Sequence, residues 1–211
     1  MNEFIDFVKS IYPCIDNVKA ENAKKTLRQF AIENHKENGS SLFEGKKYNF
    51  LENNPTQEFK QGDIIDKLTF YYIDENGEEC EYTSKAMLIS NTCDAQRDRD
   101  KYLHFAPLMK IQDIIEDTDE SGRTNVKKDI LSNIVLRFLY IPNPKLKDYV
   151  VNFQMITSYP SNIIYNSIDY GEKKIIHSLN LTGYYLFLCK LTVYFIRSEK
   201  NEEVKRTDLA T

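Results

Sequence analysis

The chain has no tryptophan, and only 7 glycines, 6 prolines and 4 cysteines in 211 residues. So little glycine and proline excludes collagen-like and low-complexity architectures. Cys14, Cys80, Cys93 and Cys189 form no C-x-x-C pair, and the three histidines, His35, His104 and His177, stand far apart. No zinc-ligand spacing results, so neither a metal nor another cofactor is expected. The phosphate-cradling G-x-x-x-x-G-K, the H-E-x-x-H helix and the G-x-S-x-G elbow are all missing. The opening Met-Asn-Glu-Phe-Ile-Asp has no basic stretch leading into an apolar one. With scattered thiols, that favours a reducing cytoplasm. The one long apolar run, 179–196, is broken by Asn180, Gly183, Lys190 and Thr192. A mid-span lysine costs about 2.5–3.5 kcal/mol on insertion. A buried amphipathic helix is therefore expected, with no membrane insertion.

What is present is ordinary globular material: 41% hydrophobic and 28% charged, with 14 tyrosines and 12 phenylalanines filling the place of indole. The net charge of −4 is unevenly spread. Residues 1–60 are balanced, residues 61–125 carry seven basic against fifteen acidic side chains, and residues 126–211 carry twelve against eight. That distribution is not the cationic footprint of a strong non-specific nucleic-acid binder. It leaves room for a local basic groove assembled by folding.

Phe4, Phe7, Val8 and Ile11 mark one helical face, ended by Pro13. Ala20, Ala23, Leu27, Phe30 and Ala31 mark a second, stopped by Asn38-Gly39. The first third therefore reads as a helical hairpin, followed by a polar loop. Residues 64–73 and 80–91 are apolar and β-branched around Asn76-Gly77, a hairpin signal that predicts a type I′ turn. Ala86-Met87-Leu88-Ile89 suits a strand buried on both faces. Residues 102–108, 134–141 and 149–157 read as further strands. Ile111, Ile114 and Ile115 suggest one or two helical turns, and Asp117–Gly122 an acidic loop. Leu181, Tyr184, Tyr185, Leu188, Leu191 and Phe195 form the stripe of a last helix, read as core packing before any stacking platform, and residues 198–211 are charged.

Strands bracketed by helices, without βαβ alternation, predict an α+β fold. The expected form is a small antiparallel SH3-like β-barrel, with an N-terminal helical hairpin and a long C-terminal helix packed on it. Residues 1–60 would be a helical appendage and 61–211 the barrel core, together one compact unit.

The densest run of reactive side chains is KAMLISNTCDAQRDRDKYLH, residues 85–104. Asn91, Thr92, Cys93 and Asp94 emerge together where the buried strand ends, a good place to meet a ligand. Cys93 is a candidate nucleophile if Lys85, Arg97 or His104 lowers its pKa. The simpler alternative is turn chemistry, because Asn, Thr and Asp side chains hydrogen-bond nearby backbone. The alternating Arg97-Asp98-Arg99-Asp100-Lys101 suits a self-neutralising loop, with Arg97 or Arg99 the alternative grip for a phosphate. His104 is a further candidate ligand contact, though it reads as a packed or hydrogen-bonded strand residue before a base, and His177 reads as a cap or interface residue. Lys190, among apolar neighbours, must snorkel or pair, and an acidic partner from 61–125 is expected.

QGDII (61–65), a hairpin, and then KAMLISNTCD (85–94) together resemble the PemK/MazF-like proteins. In those a Gly-Asp opens an apolar strand and a Val-Leu-Val-Ile-Ser-like strand follows. The resemblance implies an SH3-like barrel of the bacterial toxin–antitoxin kind, with RNA as target. The family's Arg-Pro falls at Lys85-Ala86 here, and the Asn91–Asp94 ending differs from its signature. A second resemblance, to bacterial proteins of no assigned activity, rests on Ser90-x-x-Cys93-Asp94 and a last helix closing on Arg197. The leading expectation is a cytoplasmic, non-enzymatic binding module for nucleic acid or a protein partner, in a toxin–antitoxin or phage-defence setting. The second is a metal-independent endoribonuclease in which Lys85 stabilises phosphate charge, Thr92 or Asp94 positions the 2′-hydroxyl and Arg97 holds the phosphate. The third is a structural or oligomerising protein that uses its last helix as a homodimer interface.

Overall fold

The computed structural model describes residues 17–37, 49–52, 58–117 and 122–196. The chain runs α1 (Asn17–Glu37), β1 (Ile64–Ile73), β2 (Glu79–Leu88), β3 (Tyr102–Lys110), α2 (Ile111–Glu116), α3 (Arg123–Leu131) and β4 (Phe138–Leu139). It continues through β5 (Tyr149–Asn152), a 3-10 turn (Phe153–Met155), β6 (Thr157–Pro160), α4 (Ser161–Asp169), β7 (Ile175–His177) and α5 (Leu181–Ile196). The fold is α+β, as the strand pattern predicts.

All the strand pairs are antiparallel, in the order β4-β5-β3-β2-β1-β7, with β6 on β3 beside that path. The two ends of the sheet do not pair, so the expected closed barrel is corrected to an open, bent sheet. The bend has a visible origin. β5 pairs with Leu108–Lys110 and β6 with Tyr102–Phe105 of the same strand β3, and the 3-10 turn between them absorbs the change of direction. The β1–β2 hairpin curls toward β6: Phe70 stacks on Tyr82 and meets Tyr159 edge-on, and the Tyr159 hydroxyl donates to Thr69 O at 2.7 Å.

Alternation along the strands sends side chains to opposite faces, and both faces are covered. One holds Leu27, Phe30, Phe50, Ile64, Met87, Ala106, Leu108, Tyr185 and Phe187. The other holds Ile65, Leu68, Phe70, Ala86, Leu88, Leu103, Phe105 and Ile164. This is why residues 86–89 form a continuous apolar run. Leu27 and Phe30 of α1 share one core with the sheet and α5.

The two halves of the family-like pattern are physically one unit. Gly62 N donates to Leu88 O at 2.9 Å, and Leu88 N to Asp63 O at 2.8 Å. Gln61 N donates to Thr92 Oγ1 at 3.0 Å, and its side-chain amide to Ile89 O at 2.7 Å. Gly62 has φ +91°, which favours glycine, and a Cβ there would lie 2.5 Å from Leu179 Cδ1, a methyl that would have to shift.

Several expectations change. The hairpin turn is not type I′: Gly77 has φ +82°, while Asn76 is not among the residues with positive φ. Asp74 Oδ1 accepts from Asn76 N and Glu78 N, and Gly77 N donates to Asp74 O, so the loop has three residues and ends in a left-handed glycine. The strand expected over 134–141 shrinks to Phe138–Leu139. Asn133, at φ 57°, closes α3 in a Schellman turn (Asn133 N to Ile130 O, Ile134 N to Asp129 O), and this consumes the residues before the strand. The strand expected over 149–157 breaks at the 3-10 turn, where Asn152 Oδ1 accepts from Gln154 N. Helices α3 and α4 and strand β7 go beyond what the sequence pattern predicts. The helix expected at residues 4–11, the Asn38-Gly39 stop, Cys14, Arg197 and the charged tail lie outside the described residues, so half of the expected helical hairpin does too, while His35 falls within α1. No described helix is long and apolar enough to cross a membrane.

Candidate functional site

The 91–104 segment is organised by turn chemistry. Asn91 Oδ1 accepts from Cys93 N at 2.9 Å, and Asn91 O from Ala95 N at 2.9 Å. Thr92 Oγ1 holds Gln61 N. Cys93 is an exposed free thiol and Asp94 is exposed. Ala95 is fully buried, and its carbonyl accepts the Tyr165 hydroxyl. Arg97 lies over the Tyr165 ring, 4.5 Å from the centroid, and both ends of its fork donate to Asp169, at 2.8 and 2.5 Å. The guanidinium therefore clamps the loop to α4, and holds the Asp169 carboxyl below its ordinary range. His104 Nδ1 lies 2.8 Å from Ser158 Oγ, in an open depression of about 480 Å³ shared with Lys101 and Tyr102.

Lys85 goes elsewhere. It alternates with Ala86 and shares a face with Met87, whereas the anchors of Arg97 (Ala95 and Tyr165) belong to the core of the opposite face. The expected pairing of Lys85 and Arg97 about one phosphate is therefore absent. Lys85 Nζ sits 4.0 Å from the centroid of the Tyr149 ring. Its partners on this face come from two elements that sequence reasoning did not connect to it.

His177, the last residue of β7, pairs with Ile64 in register and is half-buried. Burial is the largest influence holding its imidazole below its ordinary pKa, followed by the positive charges of Lys145 and then Lys85. Lys145 is exposed on the turn after Pro144, where Asn143 Oδ1 accepts from Lys145 N at 2.9 Å and buried Leu146 anchors the turn. The charges of two ammonium groups thus bear on one half-buried imidazole, and one of them, Lys85, lies beside a tyrosine ring. An anion placed among them would relieve the repulsion, and the neutral imidazole offers a proton acceptor. The signal in the sequence was weak: a lysine after Asn-Pro and a histidine before a helix are both commonplace.

Just behind lies a buried carboxyl. Asp63 is fully buried, Oδ2 accepts from Lys60 N at 2.8 Å, and Oδ1 and the nearby Ser178 Oγ have no hydrogen-bond partner among the described residues. Desolvation raises its pKa to about 6, against the opposing pull of the Lys60 backbone, the Ser178 hydroxyl and the Lys60 charge. The family-like Gly-Asp is thus a structural pair, with the glycine beneath Leu179 and the aspartate beneath the β1 entry. No cluster of three or more metal-ligating side chains occurs among the described residues. Neither a family model, a curated protein nor a solved structure matches this chain.

Proposed function

We propose that this chain is a binding module for the phosphate backbone of RNA, and that Lys85, Lys145 and His177 form its contact surface. The observation that carries the reading is that the positive charges on His177 come from two separate elements, the β2 strand and the 143–148 turn. Phosphate is the commonest ligand of such a convergence in a nucleic-acid binder. The bent antiparallel sheet and the linked 61–65 and 85–94 segments support an SH3-like reading of the fold and a toxin–antitoxin or phage-defence setting.

The test is fluorescence anisotropy with a labelled single-stranded RNA, in parallel for wild type, Lys85→Ala/Lys145→Ala and Arg97→Ala. The double variant is expected to bind at least about ten-fold more weakly and to lower the log–log salt slope by about 1.4, two phosphate contacts at ~0.7 each. Arg97→Ala, whose fork serves Asp169, is expected to bind as wild type does. Equal affinity for all three overturns the reading and turns the search toward a protein partner.

One observation favours a second reading, metal-independent RNA cleavage. A neutral His177 beside two lysines has the makings of a base that takes the 2′-hydroxyl proton while the lysines stabilise the charge on phosphorus oxygens. RNA fragmentation lost in His177→Ala but kept in Cys93→Ala would establish it, and intact RNA after prolonged incubation would remove it.

A further inference from the structure

A cavity of about 240 Å³ lies between α1, α5 and the 132–136 turn. Its wall is largely apolar: Leu27 and Phe30 from α1, Leu136 from the turn, and Leu186 and Val193 from α5. Lys190 stands in this wall only 7% exposed. Its Nζ donates to Asn133 O at 2.5 Å, a carbonyl held in place by the Schellman turn and by the Asn133 side chain, which brackets Tyr140 through N and O. The acidic partner expected for Lys190 is replaced by this neutral carbonyl.

An ammonium has three protons to donate, and one described acceptor is in place. Burial is the sole influence acting on its pKa, which falls to about 8. Cys189, beside it in the cavity wall, is pushed up to about 11 by burial, so at neutral pH the thiol supplies no counter-charge. A buried cation is ordinarily paired, and here the open volume adjoins it.

We propose that this cavity binds a small amphipathic carboxylate, with the carboxylate on Lys190 Nζ and the hydrocarbon tail against Leu27, Phe30, Leu186 and Val193. The size fits: 240 Å³ exceeds the ~150 Å³ void that holds benzene and falls short of the ~300 Å³ of drug-sized sites. A single cation in an apolar wall suits a monoanion with one apolar tail. A phosphate would need more donors than one lysine and a serine supply.

The experiment is a titration of the full chain with octanoate and, separately, with 1-octanol, followed by calorimetry and by amide and methyl NMR. Octanoate is expected to bind saturably at about 1 mM or tighter and to shift signals of Leu186, Cys189 and Val193. The alcohol is expected to bind at least about ten-fold more weakly. Lys190→Met, close in shape and free of the charge, is expected to abolish that difference. Equal binding of acid and alcohol to wild type, perturbations confined to other regions, or no saturable binding of octanoate would each overturn the proposal. The acid–alcohol comparison on wild type decides the matter even if the variant does not fold.

Discussion

Two buried ionisable residues, Asp63 and Lys190, carry opposite pH signatures. Asp63 titrates near 6 in the fold against 3.8 when free, so between those values the folded chain binds the proton that the unfolded chain has released. Stability then falls as pH rises from about 4 to 6 and levels off above, a change of roughly 3 kcal/mol from this group. Asp63→Asn keeps an acceptor for Lys60 N and offers an N–H toward Ser178 Oγ. It is expected to be more stable than wild type at pH 7 by a few kcal/mol and about equal to it near pH 4, read by urea denaturation across that range. Lys190 behaves in the reverse sense. Its pKa falls from 10.5 to about 8, so stability is lowest below 8 and recovers as pH climbs to 10.5. Lys190→Met is expected to raise the urea midpoint at pH 7, an advantage that shrinks by pH 10. A midpoint unchanged at both pH values would show that the buried charge costs nothing.

Among the elements, two glycines separate two kinds of constraint. Gly77 at the hairpin tip has φ +82° and open space around its missing side chain. Gly77→Ala is therefore expected to cost only the left-handed backbone penalty, about 1 kcal/mol. Gly183 in α5 would place a Cβ 2.2 Å from Phe50 O, where the helix crosses the 49–51 segment. That crossing is also stitched by Asn180 N to Phe50 O at 3.0 Å and by the Asn180 side-chain amide to Asn49 O at 2.7 Å. Gly183→Ala gains helix propensity yet is expected to destabilise by about 2 kcal/mol or more, because a backbone oxygen cannot step aside. Thermal melts of the two variants check the ordering; Gly77→Ala as the worse of the two would contradict the close approach. The helices themselves were unequally legible. Leu181–Ile196 announces itself by its apolar stripe, whereas α3 and α4 hold nine residues each, too short for the pattern to stand out between loops.

For the whole molecule, the core crosses from α1 to α5. Leu27, Phe30, Phe50, Ile64, Met87, Tyr185 and Phe187 belong to one cluster, and Phe30 meets Phe50 edge-on at 4.9 Å. Phe30→Ala is expected to cost about 3–5 kcal/mol and to lower the midpoint of one cooperative transition seen by both circular dichroism and tyrosine fluorescence. Loss of α1 alone, with the sheet signal intact, would show instead that the helix docks as a separate unit. The β1–β2 hairpin extends this body outward: Tyr71 is 67% and Ile73 62% exposed, next to the acidic Asp74-Glu75 turn.

The linear chain was sufficient to determine the α+β class, a helix through Ala20–Ala31, the hairpin, the doubly buried strand at 86–89 and the apolar last helix. Each of these is a local periodicity of two or 3.6 residues and survives without its neighbours. Turn chemistry at 91–95 was equally local, since Asn91 and Thr92 act on backbone within reach or on the adjacent β1 entry. Tertiary structure alone decided that the sheet stays open, because closure depends on which strands share β3. It also decided that the charges of Lys85 and Lys145 both bear on His177 while Arg97 is spent on Asp169, 72 residues away, and that Lys190 meets a carbonyl. Charges find partners through space, and no spacing along the chain records which face of a bent sheet a distant turn will cover.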